Sequence, residues 1–252
     1  MTSETSALPE RKNGLTTVLN TVIAPREAFE SLRDGPTWGW AYVIVMALSV
    51  VGWFIALPVN DHIAVVMTQN MIAHNVLGMG SLTDEQKARA LERAAHPAVL
   101  NRVFGLAILA IVPFLVVFIE TLFLLAGNAI GRGKSTFKQL WAAAININVV
   151  TFGLFTLAIS IVAVLRGPAS FSTSAEYYRD IPTLALLVPQ GSPGMVAFFA
   201  TIQPFSLWGL FLMATALIVI GNASRAVSWA TAIVNLLFYG MLSAAIANAF
   251  KF

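Results

Sequence analysis

The residue whose chemistry most needs explaining is Glu120, an acid inside a long apolar stretch. An ionisable side chain in the hydrocarbon of a bilayer costs roughly 2.5–3.5 kcal/mol, even on scales taken from insertion experiments. Its neighbours at helical spacing are apolar: Val116, Val117, Phe123 and Leu124. We therefore expect Glu120 to face other helices and to find its polar partner on one of them.

Polar residues in the other apolar stretches are the candidate partners of Glu120. Asn146 and Asn148 lie about 200° apart around a helix, so at most one of them can face a given partner. Gln203 is a further candidate. A stripe with four-residue spacing follows the last apolar stretch: Thr231, Asn235 and Tyr239. The sequence predicts an intramembrane polar cluster: Glu120, Asn146, Asn148, Asn235 and Tyr239.

This cluster has two interpretations. It could be a polar path for an ion, a proton or a small solute. It could instead supply interhelical hydrogen bonds, each worth about 0.6 kcal/mol in measured cases. One acid with no base inside the apolar stretches makes a poor relay, so the structural interpretation is favoured.

The sequence carries none of the familiar catalytic motifs. The turn that begins at Gly131 contains Gly133-Lys-Ser, but a phosphate-binding loop needs a glycine five residues earlier, where this chain has Asn128. Three histidines fall in one polar region, where solvation is commoner than metal binding: His62, His74 and His96. The chain has no cysteine, which excludes disulfides and thiol chemistry. We predict a non-enzymatic protein with no cofactor and no metal site.

Composition identifies the setting of these residues. Of 252 residues, 58% are apolar and 11% are charged, and the mean hydropathy is +0.77. Soluble domains are about 45–50% apolar and about 25% charged, so a disordered chain, a coiled coil and an ordinary globular enzyme are excluded. A net charge of +3 is too small to suggest nucleic acid as a partner. The expected fold is an all-α, polytopic helical bundle in the lipid bilayer.

Apolar stretches of about 20 residues are long enough to span a membrane as helices. Five are predicted: 38–57, 103–130, 140–165, 196–220 and 228–250. Pro58 is expected to end the first, and outer loops are expected at 58–102 and 166–195. Within the first loop, Thr83 and Gln86 have capping-box spacing, which predicts a charged helix to about Ala95. Pro113 and Pro204 should break the second and fourth spans.

The N-terminal region is more polar than these five spans. Residues 1–14 are expected to be disordered, and 15–35 reads as an amphipathic helix pair broken near Pro25. This pair could lie on the membrane surface or dock against the protein's own spans.

A short basic turn sets the predicted orientation. Arg132, Lys134 and Lys138 fall between the second and third spans with no acid among them. Basic residues in short loops favour the cytoplasmic side, which predicts the N-terminus inside and the C-terminus outside.

Three stretches together resemble bacterial members of the Yip-domain family, the Ypt/Rab-interacting proteins. They are 23–32 followed by Pro36 and Trp38, the Gly-rich turn 128–140, and the segment from 205–208 through 221–224. The resemblance covers about 15–250. It implies five spans with a cytoplasmic N-terminus. Eukaryotic members associate with Rab-type GTPases and with one another. The short N-terminus and the large first outer loop depart from that pattern and weigh against a GTPase partner.

These observations lead to three functional hypotheses. The first is a scaffold or adaptor that organises other membrane proteins, copies of itself or membrane shape, without turnover. The second is a transporter, channel or lipid-handling protein that uses the polar path around Glu120. The third is an accessory subunit of a larger membrane complex. A bacterial inner membrane is the expected location.

Overall fold

A computed structural model describes residues 13–171, 176, 181–189 and 192–249. Helices dominate these ranges, and none of the residues in them lies in a strand. Four long helices, and a bent helix pair in addition, are apolar and long enough to cross a membrane. The chain is an all-α polytopic membrane protein, which confirms the predicted fold class. Most of the N-terminal segment expected to be disordered, 1–14, lies outside the described residues.

The amphipathic segment before the first span forms two helices, α1 (Gly14–Ile23) and α2 (Pro25–Asp34). Asn13 caps α1 by accepting a hydrogen bond from the Leu15 N–H at 3.2 Å, and Pro25 opens α2, where its missing N–H costs nothing. The apolar face of α2 is completely buried in the bundle: Ala28, Phe29 and Leu32. Of the two arrangements left open by the sequence, docking against the spans is the one that α2 adopts.

Helix α3 (Gly39–Ala73) corrects the prediction that the first span ends at Pro58. The helix continues through this proline, which removes one backbone hydrogen bond; membrane helices tolerate such a loss when neighbouring groups compensate for it. At 1.5 Å per residue α3 is about 50 Å long, so it exceeds the roughly 30 Å hydrocarbon core. Its last turns therefore belong to the region predicted as an outer loop.

The rest of the predicted loop 58–102 is also largely helical. A 3-10 segment (Val76–Ser81) leads to α4 (Asp84–Ala95), which begins with the expected capping box between Thr83 and Gln86. Arg102 of the next helix donates to Asp61 of α3 at 2.8 Å, which joins the two ends of this region. The charged helix predicted after Thr83 is thus present, and the difference from the prediction is that the residues after Pro58 continue α3.

The central spans are α5 (Val99–Ile130) and a composite helix. The composite consists of α6 (Phe137–Asn148), a π-helical segment (Val149–Leu154) and α7 (Phe155–Arg166), and it forms one apolar rod of 30 residues. Every residue from 142 to 150 is buried. The composite helix is therefore at the centre of the bundle, and both of its asparagines lie in the protein interior.

The last elements are α8 (Pro193–Ala200), α9 (Pro204–Val219) and α10 (Arg225–Ala249). Helices α8 and α9 meet at 54°, just before Pro204, where the sequence predicts a break. The predicted outer loop 166–195 lies partly outside the described residues. Its described part includes a 3-10 helix (Leu184–Leu187), whose first N–H donates to the Ile202 carbonyl at 3.2 Å.

Contacts between two short turns define one end of the bundle, which we call the turn end. The Ser135 hydroxyl, from the turn 131–136, donates to the Ile220 carbonyl of the turn 220–224 at 2.8 Å. Helix α10 starts at this end, and at its other end Asn248 packs directly against Gly194 of α8. The bent pair α8–α9 thus connects opposite ends of the bundle and, counted as one span, gives five.

Candidate functional site: an intramembrane polar cluster and its cavity

Glu120 lies in the middle of α5 and is only 6% exposed. Its Oε2 atom accepts a hydrogen bond from the Nδ2 of Asn148 on α6 at 2.5 Å. The same amide donates to the carbonyl of Ala144, one turn earlier, at 3.0 Å. Asn148 is fully buried, so the acid and its amide partner bridge α5 and α6 inside the protein.

The polar stripe of α10 meets α5 next to this pair. The Tyr239 hydroxyl donates to the carbonyl of Val116 at 3.2 Å, one turn before Glu120. Asn235, one turn earlier on α10, is 9% exposed, and its Oδ1 atom is buried with no hydrogen-bond partner. The structure therefore brings together four members of the predicted cluster, from three helices.

Asn146 is the member that the structure does not place in the cluster. Its amide donates to the Ala142 carbonyl at 2.8 Å and to the Thr37 carbonyl, before α3, at 3.4 Å. The angle of about 200° between Asn146 and Asn148 on one helix explains the separation. Asn146 joins α6 to the chain segment that links α2 and α3.

The cluster lies on the wall of a cavity of about 1040 Å³. Sites for small molecules usually occupy about 300–1,000 Å³, so this cavity is at the upper limit of that range. Its wall is mainly apolar and is formed by α3, α5, the composite helix and α8–α10. The polar side chains of the wall come from several of these helices: Asn70, His74, Glu120, Asn148, Thr151, Thr201, Gln203, Ser206, Asn235, Tyr239 and Ser243.

Two irregular segments create this space. The π-helical segment after Asn148 carries Thr151 into the wall, and the bend at 201–203 separates α8 from α9. Backbone groups at the bend are satisfied locally, since Gln203 accepts from the Phe205 N–H at 2.7 Å and the Ser206 hydroxyl lies 2.5 Å from the Thr201 carbonyl. Irregular backbone at membrane depth is tolerated where it is buried in protein or lines a cavity.

Sequence reasoning found part of this architecture. Pro204 predicted the bend between α8 and α9, and Gln203 was among the candidate partners of Glu120. No pattern in the sequence indicated the π-helical segment, although π-bulges are frequent at functional sites. The cavity forms only when α3, α5, the composite helix and α8–α10 pack together, so no local sequence pattern could predict it.

Within the described ranges, no group of three or more His, Asp or Glu side chains is arranged to hold a metal ion. His74 lies at the edge of the cavity with its Nδ1 atom 3.0 Å from the Asn70 carbonyl oxygen. His62 and His96 do not line the cavity.

A second feature is the charged surface of the turn end. Four basic residues, which we call the basic turn face, have no carboxylate of the described chain within ion-pair distance: Arg132, Lys134, Lys138 and Arg225. Arg132 has a left-handed backbone with φ 56°, a conformation that costs a side-chain-bearing residue about 1–2 kcal/mol. The end of α2 lies beside this face, because Gln139 donates to the Arg33 carbonyl at 2.6 Å.

Comparison with known proteins gives one distant relative. The chain is 21% identical over 230 residues to a Bacillus subtilis (strain 168) protein named "Membrane protein YknW", and the match covers 89% of each chain. No family model matches the chain. No solved structure matches it. The relative's name and the apolar helices agree that this is a multi-pass integral membrane protein.

Proposed function

We propose that this membrane protein is a non-enzymatic scaffold or adaptor, and that the basic turn face is where it holds its partner. The observation that carries the proposal is the rigid construction of this face. The turn at 131–136 and the turn at 220–224 lock each other through the hydrogen bond from Ser135 to Ile220. Basic residues on a fixed frame pay less ordering entropy on binding than residues on a free loop.

Close packing beneath the face supports the same conclusion. Any side chain at Gly133 would overlap the Gly221 carbonyl oxygen and the Asn128 side chain. The Asn128 amide also donates to the Gly133 carbonyl at 3.4 Å. The two turns therefore form a single unit, which holds Arg132 in its unfavourable backbone conformation. Such local strain persists only where the surroundings impose it.

The proposed partner is the acidic surface of another membrane protein on the same side of the bilayer. Unlike the basic turn face, the neighbouring arginines of α2 are already paired: Arg26 with Glu30 and Arg33 with Asp34, each at 3.1 Å. Four cations that pair with no carboxylate in the described part of the chain favour an anionic partner, because complementary charge guides association and specifies orientation. This proposal also covers the third hypothesis, an accessory subunit of a larger complex.

The orientation and location complete the proposal. The N-terminus and the basic turn face would be cytoplasmic, as the positive-inside rule favours, in a bacterial inner membrane. Membership of the Yip-domain family stays a prediction from the sequence. A transport or lipid-handling role is the second candidate, and the observation that favours it is the cavity that Glu120 lines.

Photo-crosslinking tests the partner proposal directly. Phe137 is 49% exposed and adjoins Lys138, so its replacement by p-benzoylphenylalanine conserves an aromatic side chain beside the basic turn face. We expect one protein adduct at this position. Replacing Arg132, Lys134 and Lys138 with glutamine should reduce its yield at least tenfold.

The matched control removes three cations from α4 at the far end, by replacing Lys87, Arg89 and Arg93 with glutamine. This variant should retain the adduct. An adduct yield that survives loss of the turn cations would contradict the proposal. So would crosslinks that form only to anionic lipid, because the basic residues would then serve to orient the protein in the membrane.

A further inference from the structure

The acceptor that a ligand in the cavity can reach is the Glu120 carboxyl group, since Glu120 lines the cavity. Its Oε2 atom accepts from the Asn148 amide, which also serves the Ala144 carbonyl. The Tyr239 hydroxyl donates to the Val116 carbonyl instead. Hydrogen bonds to a charged group are among the stronger ones, at about 1.5–3 kcal/mol, so a ligand head that donates to this carboxyl group would gain from the contact.

The charged groups that line the cavity are of one sign. Among the described residues that line it, none is a lysine or an arginine, and Glu120 is the sole acid. A cationic head with N–H donors can bond to the Glu120 carboxyl group, whereas an anionic head would place a second acid beside it.

The remainder of the cavity suits an apolar chain. Lining residues of α10 extend from Ala232 to Ala247, a distance of about 22 Å along the helix. Opposite them are Met67, Met71 and Met213, flexible side chains that adapt to the shape of a ligand. The cavity is therefore elongated along α10, and its wall is mainly apolar.

We propose that this cavity binds a single-chain amphiphile with a primary amine head. The ammonium group lies against the Glu120 carboxyl group, and the alkyl tail lies along α10. This site is separate from the basic turn face, so either proposal can fail without affecting the other.

Competition among three probes with the same tail tests this assignment. The full-length protein in phosphatidylcholine liposomes is labelled with a diazirine-bearing alkylamine, and the adducts are mapped by mass spectrometry. Dodecylamine should compete at least tenfold better than dodecanol, and dodecanoate should compete least. Adducts should map to cavity residues of α9 and α10, such as Met213 and Leu242.

Variants separate the head-group contacts from the tail contacts. Glu120→Gln should reduce the preference for amine over alcohol to less than threefold while labelling of the tail site continues. Ala200→Phe, which fills part of the cavity from the α8 side, should abolish labelling by all probes. Asn146→Ala removes a buried amide outside the cavity and should change neither result.

Equal competition by the amine, the alcohol and the acid would overturn the proposal. Labelling confined to lipid-facing residues of α5, such as Phe114 and Leu115, would also overturn it. If Glu120→Gln fails to fold, the amine-to-acid preference of the wild type and the loss of labelling in Ala200→Phe still decide the question.

Discussion

Replacing Asn148 with leucine should show how much the hydrogen bond between Asn148 and Glu120 contributes to the free energy of unfolding. The pair joins α5 to α6 at 2.5 Å with both side chains buried. Removing Asn148 leaves the Glu120 carboxyl buried without this donor, which costs about 1–3 kcal/mol, whereas removing Glu120 leaves the Asn148 amide bonded to the Ala144 carbonyl. Removing both in Glu120→Leu/Asn148→Leu should cost less than the sum of the two. We expect a coupling free energy of about 0.6–1.7 kcal/mol, from the average to the maximum measured for hydrogen bonds between helices of a membrane protein.

The assay is reversible unfolding in mixed micelles with increasing fractions of dodecyl sulfate, carried out on the wild type, both single variants and the double variant. Asn146→Leu is the matched control, because Asn146 bonds to Ala142 and Thr37 and not to Glu120. Its combination with Glu120→Leu should be additive within about 0.5 kcal/mol. Additivity of the Asn148 pair, or coupling of the Asn146 pair, would refute the geometry described for the cluster.

Two further predictions concern helix packing and helix length. Gly127→Ala should destabilise the bundle by about 1–3 kcal/mol, because its Cβ would lie 2.6 Å from Thr231 Oγ1, whereas Gly39→Ala meets nothing within 4 Å. A comparison of the two melting temperatures in detergent checks this, and equal values would contradict the packing of α5 on α10. Nitroxide labels at Val51 and Gln69 should lie about 27 Å apart if α3 is continuous. Pulsed electron paramagnetic resonance measures the distance between the two labels. A shorter and broader distribution of this distance would indicate that the helix ends at Pro58.

Several elements were predictable because each depends on a local cause. Composition and span length gave the fold class, and the capping box at Thr83 gave the start of α4. The angular spacing of Asn146 and Asn148 showed that only one of them could reach Glu120. These inferences needed only the helical repeat and the cost of burying a polar group in lipid.

Other features depend on tertiary contacts and could not be read from local patterns. Pro58 looked like a helix end because proline breaks an isolated helix, but in α3 its neighbours Ala56 and Val59 are buried in the bundle, where packing keeps the helix continuous. The docking of α2 depends on a pocket for Phe29 that exists only once the helices are packed. The π-helical segment and the cavity likewise arise from the assembled bundle.

The absence of cysteine in the natural sequence makes the central claim directly measurable. Single cysteines at Ser81, Ser135 and Ser224 can be labelled with a membrane-impermeant maleimide in intact cells without background. If the bent pair α8–α9 crosses the membrane and the N-terminus is cytoplasmic, residue 81 will be labelled, while 135 and 224 will react only after permeabilisation. Labelling of 135 and 224 from opposite sides would show that the pair does not cross, and would contradict the five-span arrangement.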